Sequence, residues 1–142
     1  MTEIAYNFGV PPSTSLEIVQ GATFRKRWRF RYGTTLEPFP FFTTATPGVA
    51  LWKGRCMFRV AFADAVPKLS VTTTDGGVTL DYVDDAETGL RSVFYGLYLT
   101  AVQTAALPSG KVFYDIEFER LTDGWVIRPQ KGKATVDPEV TK

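Results

Sequence analysis

Arginine occupies every second position from Arg25 to Arg31, while Phe24, Trp28, Phe30 and Tyr32 fill places between, interrupted by Lys26. Successive side chains of an extended strand point to opposite faces of a sheet. The run therefore predicts a long strand over 22–32 whose ring-bearing side faces a core. Its other side is a four-arginine stripe, Arg25, Arg27, Arg29 and Arg31, which calls for an anionic or hydrogen-bonding partner.

The same two-residue period recurs along the chain. Leu16–Val19 reads as a short strand followed by a turn or bulge at Gln20-Gly21. Arg55–Phe62 puts Cys56, Phe58, Val60 and Phe62 on a core-facing side. Leu69, Val71 and Thr73 mark a strand, Asp75-Gly76-Gly77 a hairpin turn, and Val78, Leu80 and Tyr82 its return. Val93–Leu99 follows. Then Thr100-Ala101-Val102-Gln103 has the spacing of a capping box and opens one short helix near 101–106, before Leu107-Pro108-Ser109-Gly110. Lys111–Leu121 is a second long strand, with Val112, Tyr114, Ile116 and Phe118 on one side and Asp115, Glu117 and Glu119 on the other. Asp123-Gly124 turns it into Trp125–Arg128, and Gly132–Val136 closes the fold.

Short strands in this number, with turn signals and a single brief helix, describe an all-β sandwich. The 142 residues fit one domain, placed at 15–142, and they can bury a core without metal or disulfide support. Residues 1–14 form an extended N-terminal arm ending in Pro11-Pro12, able to dock on its own domain or to reach a neighbouring subunit. Over residues 33–51, Gly33, Pro38, Pro40, Pro47 and Gly48 punctuate an aromatic loop that contains Phe39, Phe41 and Phe42 and leads to Trp52.

Composition narrows the chemistry. The chain has no histidine and one cysteine, Cys56, which removes His-dependent triads, zinc sites with His ligands, multi-cysteine metal centres and any intrachain disulfide. No glycine motif cradles a phosphate, and Glu117 and Glu119 share one strand face, so they do not flank a substrate. An enzyme is not expected and no cofactor is implied. The net charge of +1 argues against a polybasic nucleic-acid binder, yet it conceals an asymmetry: residues 1–62 hold eight Lys/Arg against three Asp/Glu, and residues 63–142 hold eight against twelve. No window approaches the roughly 18 apolar residues of a membrane span, and the N-terminus lacks a basic patch followed by an apolar stretch.

A particular order of motifs runs through the chain. Ile18-Val19-Gln20-Gly21-Ala22-Thr23-Phe24 comes early. Thr104–Gly110, Tyr114-Asp115-Ile116-Glu117, Asp123-Gly124 and Gly132-Lys133-Ala134-Thr135-Val136-Asp137-Pro138-Glu139-Val140-Thr141 follow. This order resembles small bacteriophage and prophage virion proteins related to the N-terminal domain of the siphophage upper baseplate protein. The resemblance spans roughly residues 16–141. It implies an immunoglobulin-like antiparallel β-sandwich that attaches one part of a virion to another, made in the host cytoplasm and present in multiple copies. Its partners would be other virion proteins of the tail, baseplate or capsid.

Each candidate site has a plainer reading beside it. The arginine stripe can pair inside the domain with Asp115, Glu117 and Glu119, or it can form a subunit interface. Single-strand nucleic-acid binders present rings and cations on one surface, whereas this alternation separates them. Phe39, Phe41, Phe42 and Trp52 either cover one end of the sandwich or make an apolar patch buried against a neighbouring subunit. Asp81, Asp84, Asp85 and Glu87 read as a solvated acidic turn, with calcium as the alternative, and Cys56 as an inert core thiol. The expected function is that of a tail or baseplate adaptor or fibre-anchoring module. A capsid decoration protein is the alternative, and a carbohydrate or single-stranded nucleic-acid module a more distant one.

Overall fold

The alternating segments extend as expected and pair into two sheets. The structure is a computed structural model that describes residues 2–6, 14–32, 52–61, 63–84, 86–87, 91–121 and 124–138. In chain order the elements are β1 (Thr2–Tyr6), β2 (Leu16–Val19), β3 (Phe24–Tyr32), β4 (Trp52–Arg59), β5 (Leu69–Thr72), β6 (Val78–Asp84), β7 (Arg91–Leu99), α1 (Ala101–Ala106), β8 (Gly110–Arg120) and β9 (Val126–Asp137). A four-stranded sheet has the order β1-β3-β7-β6 and a five-stranded sheet the order β2-β9-β8-β4-β5. The N-terminal arm contributes to the first: β1 runs parallel to β3, with Thr2 opposite Trp28 and Tyr6 opposite Tyr32. β2 runs parallel to β9, and the remaining pairs are antiparallel. No helix among the described residues is long and apolar enough to cross a membrane.

One apolar cluster lies between the sheets. The four-stranded sheet supplies Trp28, Val78, Leu80, Tyr95, Leu97 and Leu99, and the five-stranded sheet supplies Cys56, Phe58, Val112, Tyr114, Ile116 and Phe118 among others. Trp28 stacks on Tyr95 with ring centroids 5.4 Å apart, and Tyr95 meets Phe118 edge-on at 6.1 Å, so the two sheets interlock through rings. Burying one aromatic side chain of this size contributes about 1.5–3 kcal/mol relative to exposure. Cys56 is fully buried here, and burial pushes its thiol pKa well up, with Asp115 adding to the effect. Such a thiol is held protonated, as an inert core thiol should be.

A chain of hydrogen bonds crosses this core. The Tyr95 hydroxyl donates to Gln130 Oε1 at 2.7 Å, Gln130 Nε2 donates to the Tyr114 hydroxyl at 2.7 Å, and that hydroxyl donates to the Thr14 carbonyl at 2.6 Å. Thr14 in turn donates its backbone N–H to the Lys131 carbonyl at 2.9 Å. Gly132 makes this possible, because a Cβ there would stand 2.2 Å from the Thr14 carbonyl oxygen.

Three local expectations need correction. Asp75-Gly76-Gly77 is a tight turn, with Asp75 Oδ1 accepting from Thr72 N at 3.0 Å and Gly77 N at 2.8 Å, but it does not close a hairpin. β5 pairs with β4 in one sheet and β6 pairs with β7 in the other, so the turn carries the chain around a corner between layers. Val60, expected to face the core, is 45% exposed because β4 ends at Arg59. The helix, by contrast, has the reciprocal capping box: Thr100 Oγ1 accepts from Gln103 N and Gln103 Oε1 accepts from Thr100 N. Residues 126–137, expected as two pieces, form one strand, and the irregularity lies where Ile116/Gln130 pairing gives way to Phe118/Ile127. Pro129, which has no N–H for a ladder, falls in that bulge.

Candidate functional site

The outer face of the four-stranded sheet carries Arg25, Arg27 and Arg29 of the arginine stripe. Trp28 is buried on the inner face of β3 while Arg25 and Arg27 are exposed on the outer, as the alternation requires. Arg29 also belongs to β3 and is partly exposed, and Arg31 extends the strand opposite Ala5 of β1. The antiparallel register of β3 with β7 places Arg25 opposite Tyr98, Arg27 opposite Gly96 and Arg29 opposite Phe94. β6 continues the same rows, with Thr79 opposite Gly96 and Asp81 opposite Phe94.

Each of two guanidinium groups lies over a ring. Arg25 Cζ sits 5.0 Å from the Tyr98 centroid, and Arg27 Cζ sits 4.5 Å from that of Phe94, which is itself buried although it is on the outer face. A cation–ring contact of this kind contributes about 0.5–1 kcal/mol at an exposed site. Arg27 also reaches across β7 to Asp81, with Nη2 3.4 Å from Oδ1; the two side chains are 44% and 55% exposed, so this ion pair is weak. Its path is open because residue 96 is glycine. A Cβ there would stand 2.5 Å from Thr79 Oγ1, 3.2 Å from the Lys26 carbonyl and 3.4 Å from Arg27 Cγ. The result is a groove of about 280 Å³, lined by Arg25, Arg27, Thr79, Asp81, Gly96 and Tyr98 among others.

Arg27 does pair inside the domain, but with Asp81 and not with the expected carboxylates of β8. Asp115, Glu117 and Glu119 lie on β8 in the five-stranded sheet, with their own side chains on that sheet's outer face, so the two charged faces turn away from each other. The acidic residues meet other cations. Glu117 is held between Arg55, its register partner on β4, and Arg128, whose Nε is 2.9 Å away; Glu119 lies opposite Lys53. Asp115 is 3.8 Å from Arg128. Burial raises the Asp115 pKa from its ordinary value and Glu117 adds to that, while Arg128, Arg59 and Arg55 lower it.

The aromatic candidates fall out differently. Phe39, Phe41 and Phe42 lie outside the described residues. Trp52, weighed as an exposed anchor, is only 2% exposed: it starts β4, packs at 6.0 Å from Trp125, and has Arg120 Cζ 5.8 Å from its ring. It closes one end of the core and is unavailable as a free platform. Trp125 keeps one side toward solvent, but Arg120 Cζ lies 4.7 Å from its ring centre. Asp81, weighed as a cation ligand, faces Arg27 across the groove, and Asp85 lies outside the described residues.

Phe94 and Tyr98 belong to the site and were not singled out from the sequence. The separation of rings from cations holds within β3 and fails across the sheet, because β7 returns rings to the arginine face. Only the register between strands distant in sequence could have revealed them. No family model and no curated protein matches the chain.

Proposed function

We propose that this chain is a non-enzymatic structural module of a phage virion, a tail or baseplate adaptor or fibre-anchoring domain that docks through the outer face of its four-stranded sheet. One observation carries the reading. Two exposed guanidinium groups, those of Arg25 and Arg27, are braced over rings on the outer face of one sheet. Arginine and aromatic side chains are the residue types enriched where protein surfaces bind tightly, and guanidinium groups already held in place lose less freedom on docking. The motif order that resembles baseplate-associated virion proteins supplies the address.

An immunoglobulin-like arrangement is the finer fold reading, and the strand orders support it. β1-β3-β7-β6 follows the A-B-E-D order of such sandwiches, and β9-β8-β4-β5 follows G-F-C-C′, with β2 beside β9. The parallel pairing of β1 with β3 departs from it.

The test is an image of the assembled particle of the phage or prophage that encodes this chain. The expected result is density for the domain at the tail or baseplate, with Arg25 and Arg27 against a neighbouring subunit. A domain absent from particles, or one whose four-stranded sheet faces open solvent, overturns the reading. A domain bound on the head with that same face buried replaces the tail address with the capsid one.

A further inference from the structure

From the groove over Gly96 we infer that this face recognises an extended acidic segment of a partner protein, in which carboxylates at alternate positions meet Arg25 and Arg27 and displace Asp81. The inference rests on the docking reading above and adds the chemistry of the partner.

Arg25 carries the first part of the argument. It is exposed and stacked on Tyr98, and it has no carboxylate partner among the described residues. A planar guanidinium braced on a ring presents its edge in a fixed direction, which suits bidentate contact with a carboxylate. Arg27 is braced in the same way over Phe94 and has an acidic neighbour, but at 3.4 Å, and with both partners about half exposed, Asp81 holds it loosely. Asp81 therefore occupies the position that a partner's carboxylate would take.

Geometry sets the spacing. Residues two apart on a strand are separated by about 6.8 Å, so Arg25 and Arg27 match carboxylates two residues apart on another extended segment. The groove, about 280 Å³, is at the small end for ligand clefts, which suits one or two side chains and not a whole cofactor. Its glycine floor is covered by Thr79 and Arg27 of this chain, which close over β7 there.

The rings decide between a peptide and a nucleic acid. Single-strand binders need free ring faces on which bases stack. Here Tyr98 lies under Arg25, and Phe94 is buried under Arg27. With Asp81 in the groove as well, the positive charge is local, which suits a pair of carboxylates better than a polyanion.

The test is fluorescence anisotropy with three labelled probes on the whole chain: a ten-residue peptide alternating Glu and Thr, the same peptide with Gln for Glu, and a ten-nucleotide strand of thymidines. The Glu peptide should bind, weaken with salt, and outbind the other two. Asp81→Asn removes the competitor and should tighten binding about two- to fivefold. Arg25→Gln with Arg27→Gln should weaken it at least about tenfold, while the variant still unfolds cooperatively with a midpoint lowered by only several degrees, as the loss of two ring contacts implies. No binding of the Glu peptide, binding indifferent to Asp81→Asn and to the arginine pair, or preference for the thymidine strand each overturns the inference.

Incorporation of the double arginine variant into particles separates this inference from the reading beneath it. Loss of incorporation without peptide binding leaves the docking face standing and removes the acidic partner. Peptide binding with normal incorporation keeps the acidic site and removes the virion docking role.

Discussion

Gln130 sits in the apolar interior between Tyr95 of one sheet and Tyr114 of the other, and its amide satisfies a hydroxyl on each side. A buried polar group left without a partner costs about 1–3 kcal/mol, whereas replacing both partners by apolar groups is nearly neutral. Gln130→Leu should therefore destabilise the chain by about 1–3 kcal/mol in urea unfolding, since Tyr95 loses its acceptor. Adding Tyr95→Phe should recover much of that loss, and strictly additive losses would contradict the pairing. Asp115 tests the opposite face of the same sheet. Its carboxyl is raised mainly by burial, so it holds a proton more tightly in the folded chain than in the unfolded one, where its pKa is about 3.9. Stability from this group is therefore present at low pH and falls as pH rises through the folded pKa. Asp115→Asn should gain on the wild type as pH is raised from about 4 to 7. A variant that instead loses ground would show that Arg128, Arg59 and Arg55 stabilise the carboxylate more than burial opposes it.

At the scale of elements, α1 is six residues long and could not persist alone. Its capping box starts it, and Thr104 anchors it: Thr104 Oγ1 donates to the Ala22 carbonyl at 2.8 Å and accepts from Gly21 N at 3.0 Å, joining the helix to the turn between β2 and β3. Thr100→Ala should cost about 1 kcal/mol, read as a lower urea midpoint with an unchanged slope. An effect near zero would mean that Thr104 and Gln20, whose Nε2 donates to the Leu107 carbonyl, hold the helix without its cap.

These elements also show what the sequence makes legible. Thr100 and Gln103 are three residues apart and touch, and the alternation around Trp28 needs no distant partner, so both could be read locally. The corner at Asp75-Gly76-Gly77 could not, because a tight turn has the same residue preferences whether the next strand returns beside the last or leaves for the opposite layer. Glu117 eluded a local reading for the same reason. Its place between Arg55 and Arg128 depends on a register across β4, β8 and β9 and on the bulge near Pro129. Phe94 and Tyr98 looked like ordinary strand residues until β7 was set against β3.

For the whole molecule, the two layers divide the work. The five-stranded sheet neutralises much of its charge on its own outer face, where Arg55 and Arg128 enclose Glu117. Among the described residues, the four-stranded sheet leaves Arg25 without a carboxylate and Arg27 with a weak one. That contrast makes the arginine face the proposed docking surface. Its direct test is the incorporation of an Arg25→Gln, Arg27→Gln double variant into particles, measured beside its thermal unfolding. The docking account requires incorporation to drop severalfold while unfolding stays cooperative and its midpoint falls by only several degrees. Normal incorporation of a well-folded variant, or loss that only tracks a collapse in stability, would contradict it.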